Sequence, residues 1–117
     1  NDMTIQRIGT TRRYSDVVIH GDTLYLVEVP QTLEADITTQ TREVLASIEQ
    51  LLRRAGSDKS RLLQVTLYLQ DLSDYDAMNA VWDDWLPEGS APVRACIGAH
   101  LANPGYRIEA VVVAARS

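Results

Sequence analysis

Apolar residues in this chain recur at two spacings in turn, every second residue and then every third or fourth, and few architectures accept that order. The first two period-two runs, Val17–His20 and 23–27, are separated by Gly21-Asp22, a two-residue turn that predicts a β-hairpin. A helix is predicted over 37–55, where Ile37, Val44, Leu45, Ile48, Leu51, Leu52 and Ala55 make one stripe at helical spacing. Asp36 suits the N-cap, Arg53 and Arg54 complement the C-terminal dipole, and Gly56 suits the left-handed residue that ends a helix. A second helix is predicted over 74–86, capped by Ser73 with Asp76 at its third position, burying Met78, Val81, Trp82 and Trp85 and stopped by Pro87 and Gly89. Two more strands, 93–101 and 106–115, flank the turn Ala102-Asn103-Pro104-Gly105 and read as a second hairpin. Hairpin, helix, strand, helix, hairpin is an α+β order, and it predicts a mixed sheet carrying both helices on one face.

The other face must also be accounted for. In the strand 62–69, Leu63, Val65, Leu67 and Leu69 alternate with Leu62, Gln64, Thr66 and Tyr68. The second set is too apolar for open solvent and too polar for a core. It is the kind of face that sheets from several subunits bury together in a barrel-like centre. A chain of 117 residues fits one domain, 1–117, with a small core, and burial against identical partners is a common remedy for that size.

Charge and cysteine content narrow the partners. The chain has 11 basic and 16 acidic residues, a formal net charge of −5, and Arg12-Arg13 and Arg53-Arg54 are its only adjacent basic pairs. A phosphate backbone needs a clustered positive surface, so no nucleic-acid partner is expected. Cys96 is the only cysteine, which rules out an intramolecular disulfide and a cysteine metal cluster. No apolar run approaches the ~20 residues that span a bilayer, and no signal-peptide pattern opens the chain. A cytoplasmic protein with no membrane partner is expected. Asn1 and Asp2 precede Met3 and read as additions ahead of the natural start.

Two charged residues stand where charge is expensive. In the run after Pro92, Arg94 shares its face with Cys96, Gly98 and His100, small neighbours that leave space beside a guanidinium. In the last run Glu109 shares its face with Val111, Val113 and Ala115. An unpaired buried charge costs several kcal/mol, so each residue needs a partner or a ligand. If Leu101 faces Tyr106 across the turn, Arg94 lies opposite Val113 and Glu109 opposite Gly98. That offset of four residues is roughly 13 Å at about 3.3 Å each, so the two could meet only across a subunit boundary.

Ala91-Pro92-Val93-Arg94-Ala95-Cys96, followed by Ile108-Glu109-Ala110, resembles the signature of the RidA/YjgF family. Asn79 within Ala77-Met78-Asn79-Ala80-Val81-Trp82, the segment Val65-Thr66-Leu67-Tyr68-Leu69-Gln70-Asp71-Leu72, and Pro30 after the first hairpin fit the same family. Tyr14-Ser15-Asp16-Val17-Val18-Ile19-His20 and Ala102-Asn103-Pro104 are similar to its YoaB-like branch. The resemblance implies a chorismate-mutase-like fold, a homotrimer with a barrel-like core, and ligand clefts between subunits. It also implies hydrolysis of reactive imines and enamines of amino acids to 2-oxo acids and ammonia, with no cofactor and no metal. On that resemblance Arg94 would grip the substrate carboxylate and Glu109 would orient or activate the attacking water. The Cys96 backbone would touch the substrate, and Asn79 and Tyr14 would line the pocket. The family carries a glycine just before the proline, where this chain reads Leu26-Val27-Glu28-Val29-Pro30. A Glu28 facing the cleft would instead suit a trimeric module that binds small carboxylates without turning them over.

The remaining candidates read as structure. Cys96 has no histidine at a motif spacing and behaves as a small apolar residue. His20 and His100 are too isolated for a metal site, Trp82 and Trp85 belong to the core stripe, and Asp83-Asp84 lies on a solvated helix face.

Overall fold

The computed structural model describes residues 3–117; Asn1 and Asp2, read above as additions, lie outside the described residues. Six strands form one sheet in the order β1-β2-β3-β6-β4-β5, with strands at Ile5–Ile8 (β1), Val17–His20 (β2), Thr23–Glu28 (β3), Leu62–Leu69 (β4), Val93–Gly98 (β5) and Ile108–Ala115 (β6). Two helices, α1 (Ile37–Arg54) and α2 (Tyr75–Trp85), pack on one face. The α+β class, the mixed sheet and the one-sided helices are as the sequence predicts.

Local signals explain most of these elements. The β2–β3 hairpin closes at Gly21, whose φ of 63° is costly for a residue with a side chain. Asp36 caps α1 by accepting a 2.9 Å hydrogen bond from the Thr39 N–H, and Gly56 follows the helix with a φ of 82°. Every apolar residue predicted for the α1 stripe is buried. In α2 only Met78 and Trp82 are fully buried, while Val81 and Trp85 pack at the edge of the core.

Four details differ from the sequence reading. β1 was not foreseen, because Ile5 and Ile8 fall on opposite faces of a strand and give no period-two signal; it extends the sheet beside β2. A bulge between Leu62 and Gln64 turns Leu62 into the core and leaves Leu63 exposed, the reverse of strict alternation. Ser73 does not cap α2. Instead, the Asp71 carboxylate accepts from the Ser73 N–H and starts a single 3-10 turn ahead of the helix.

The fourth difference matters most for function. β5 and β6 do not pair. β5 runs parallel to β4 at the sheet edge, and β6 runs antiparallel between β3 and β4. The predicted turn exists, with the Tyr106 N–H donating to the Asn103 carbonyl at 3.0 Å and the Gly105 N–H to Asn103 Oδ1 at 2.8 Å. It fastens to α1 rather than closing a hairpin. β6 is apolar on both faces except for Glu109, which suits a central strand with two partners, and a strand carrying Arg94 suits an edge.

Gln40 holds that turn in place. Its amide is wholly buried, donates to the carbonyls of Thr32, Leu33 and Gly105, and accepts from the Arg107 N–H at 2.8 Å. Both hydrogen bonds to the turn lie just ahead of Glu109. Gln40→Leu leaves the Gly105 carbonyl and the Arg107 N–H, both partly buried, without this partner. Urea denaturation should show a loss of about 2 kcal/mol, on the scale of two partly buried groups losing their hydrogen bonds.

Candidate functional site

Strand register sorts the sequence-predicted residues onto the two faces of the sheet. Arg94 stands beside Val65 and Cys96 beside Leu67, so both point to the helix side. Glu109 stands beside Tyr68 and points to the uncovered side. From Arg94 to Glu109 is two strands across and three residues along, roughly 10 Å in each direction. The expectation that they do not pair within one chain therefore stands, for a different reason: opposite faces of the sheet replace the supposed hairpin offset. Tyr14 lies in the loop between β1 and β2, at the edge of the sheet opposite β5.

Two half-sites result. One consists of β5 and α2. The Arg94 guanidinium lies over the Trp82 ring at 5.1 Å and the Tyr75 ring at 5.9 Å, and Nη2 donates to Tyr75 Oη at 3.3 Å. Among the described residues the ion pairs are Arg53–Glu49 and Lys59–Glu49, and no carboxylate pairs with Arg94. Beside it opens a cleft of about 330 Å³ lined by Asn79, Trp82, Asp83, Ala91, Pro92 and Arg94. Asn79 Oδ1 is buried behind the cleft wall and has no hydrogen-bond partner among the described residues.

The other half-site gathers at one end of the sheet, where β3 ends, β6 begins and the loop carrying Tyr14 turns. Glu109 and Val27 share the uncovered face there, together with Val111. Glu28 points the other way, to the side of Leu24 and Leu26. It does not share the face of Glu109. Burial pushes the Glu28 carboxyl above its usual range, opposed by a hydrogen bond from the Val29 backbone and assisted by the nearby Asp16 charge.

Cys96 is half-buried, and its thiol is pushed up by burial against a smaller lowering by the Arg94 charge. A neutral thiol is a poor nucleophile. What Cys96 offers a ligand is its backbone and its small size. Among the described residues no group of three His, Cys, Asp or Glu side chains stands close enough to share a metal ion.

The endoribonuclease L-PSP family model matches residues 4–116. The chain belongs to that family. It is 49% identical over 113 residues to the RutC family protein YoaB of Escherichia coli strain K12, covering 97% of this chain and 99% of YoaB. A crystal structure of a YjgF family member from Neisseria meningitidis is similar at a TM-score of 0.95 and 40% identity, over 98% of this chain and 97% of that one. A Pseudomonas aeruginosa crystal structure matches at the same TM-score and 42% identity, over 97% of this chain and all of that one. The YjgF and YoaB resemblance in the sequence is correct.

Within this L-PSP family chain, three residues near Arg94 were not singled out by sequence as functional. Trp82 is core, as expected, but its ring face also carries the guanidinium. Asp83 is exposed, as expected, but it lines the cleft. The third is Tyr75, whose hydroxyl accepts from Arg94. The available signal was helical spacing, because Tyr75, Asn79 and Trp82 follow one another at i, i+4 and i+7 and so share one face of α2.

Glu28 gives a test of this placement. A carboxyl raised by burial lowers stability once it ionises and costs nothing when protonated in both folded and unfolded chains. Glu28→Gln should therefore stabilise the protein at pH 7. The gain should shrink as pH falls through the raised value and vanish below the ordinary glutamate range, measured by urea denaturation at several pH values. A pH-independent effect would place Glu28 in solvent.

Proposed function

We propose that this protein hydrolyses reactive imines and enamines of amino acids to 2-oxo acids and ammonia, in clefts between the subunits of a homotrimer. One observation carries the reading: a guanidinium seated on two aromatic rings beside a cleft, in ion-pair contact with no carboxylate among the described residues. Such a cation suits a small carboxylate, which accepts two parallel hydrogen bonds from arginine.

How the chain divides its residues supports a trimer. The uncovered face presents Tyr25, Val27, Val111, Val113, Val93 and Ile97, with Val93 68% and Ile97 44% exposed. β4 sets Gln64, Thr66 and Tyr68 between them, and an exposed, largely apolar face of this kind favours association. Arg94 at one edge and Tyr14 at the other cannot serve one ligand within a chain, whereas a head-to-tail ring sets one edge of each subunit against the next. Glu109 of one subunit then meets the Arg94 half-site of its neighbour.

The chemistry needs little more. Arg94 holds the carboxylate, and water held by Glu109 attacks the protonated imine carbon. Glu109 accepts the water proton and returns it to nitrogen, then takes the proton of the new hydroxyl as the C–N bond breaks, and ammonia leaves with the 2-oxo acid. Proton transfer of this kind contributes about 10²–10⁴-fold. The family's name carries an RNA-cleaving activity, but the net charge of −5 makes RNA a poor match here.

The test is ammonia release from an amino-acid-derived imine generated in situ in a buffer where spontaneous hydrolysis is slow. The wild-type protein should accelerate release by at least tenfold over an Arg94→Ala variant. Arg94-dependent binding of a small carboxylate with no acceleration would leave the non-catalytic module as the answer. Loss of neither would remove Arg94 from the site.

A further inference from the structure

The partner of Arg94 on α2 has a property the ring contacts do not use. Tyr75 Oη accepts the hydrogen bond from Arg94 Nη2, so the phenolic proton must point away from the arginine. Among the described residues that O–H has no acceptor. Its ring lies beneath the guanidinium, with the Arg94 Cζ 5.9 Å from the ring centre, while the residue remains 41% exposed.

We propose that the Tyr75 hydroxyl is the second donor of the anion site, binding the ligand carboxylate alongside Arg94. The proposal rests on the reading of Arg94 as the carboxylate anchor and adds a residue to it. A carboxylate has two oxygens and about four lone-pair positions, more than one guanidinium edge satisfies. With Nη2 committed in part to Tyr75, the O–H beside it offers a donor in the same neighbourhood. An O–H whose oxygen already accepts from a cation is polarised toward donating, since hydrogen bonds in a chain strengthen one another. The pair forms a clamp in which the cation supplies charge and the phenol supplies direction. A neutral amide in the same place would gain little from the charge, so the clamp selects acids over their amides.

Calorimetry on the full chain with 2-oxobutanoate and with its amide tests this. Tyr75→Phe keeps the ring under the guanidinium and removes only the O–H, whereas Tyr75→Leu removes both. The expected result is about tenfold weaker binding of the acid by Tyr75→Phe, on the scale of one charge-assisted hydrogen bond, with amide binding changed by no more than about twofold. Acid binding by Tyr75→Phe equal to wild type, with loss confined to Tyr75→Leu, would overturn the proposal and leave Tyr75 as a support for Arg94. Equal weakening of acid and amide would also overturn it. Arg94→Ala is the control for the underlying reading: unimpaired acid binding by that variant would sink the anchor itself, while loss by Arg94→Ala with none by Tyr75→Phe sinks only the role of Tyr75.

Discussion

The sheet has two apolar faces, and the chain supplies helices for one. α1 and α2 cover the side that carries Leu24, Leu26, Val65, Leu67, Ile108, Ala110, Val112 and Ala114, and those residues are almost wholly buried. The opposite side carries Val27, Val111, Val113 and Ile97, which neither helix covers. At about 25 cal/mol per Å² of apolar surface, leaving such a face in water forgoes stabilisation that association would recover. The division also decides where chemistry can occur, because Glu109 sits on the open face and Arg94 at the rim of the covered one.

Arg94 illustrates how a charge is kept available at such a rim. A carboxylate partner would satisfy it and close the site. Aromatic faces hold the guanidinium in place while leaving most of its donors unused. α2 provides this support through residues spaced along one helical face, and β5 places Arg94 against it because β5 runs parallel to β4 beside the helix. Gln40, far away in sequence, fixes the turn from which β6 and Glu109 set out.

Much of this was legible in the sequence, and the failures share a cause. The β2–β3 turn, the Asp36 cap and the α1 stripe are local devices, readable from a few neighbouring residues. Strand partners are not local. The turn at 102–105 was recognised, but whether its flanking strands pair depends on which strand needs two neighbours, a property of the whole sheet. The bulge at Leu62 and the buried amide of Gln40 were missed for a similar reason, since each answers a constraint imposed by elements distant in the chain. Arg94 and Glu109 were visible because charge in a β-rich run is costly wherever the strand lies. Helical spacing groups Tyr75 with Asn79 and Trp82, but its contact with Arg94 joins positions 19 apart and no local pattern announces it.

Central to this account is that Arg94 and Glu109 act together only from different subunits. Mixing Arg94→Ala and Glu109→Ala chains before refolding or by co-expression tests it directly, with imine hydrolysis as the readout. Each variant alone should be inactive, and an equal mixture forming random trimers should recover about a quarter of wild-type activity, the share of interfaces that unite an intact arginine with an intact glutamate. A mixture as inactive as its parents would show that both groups are needed in one chain and would contradict the account.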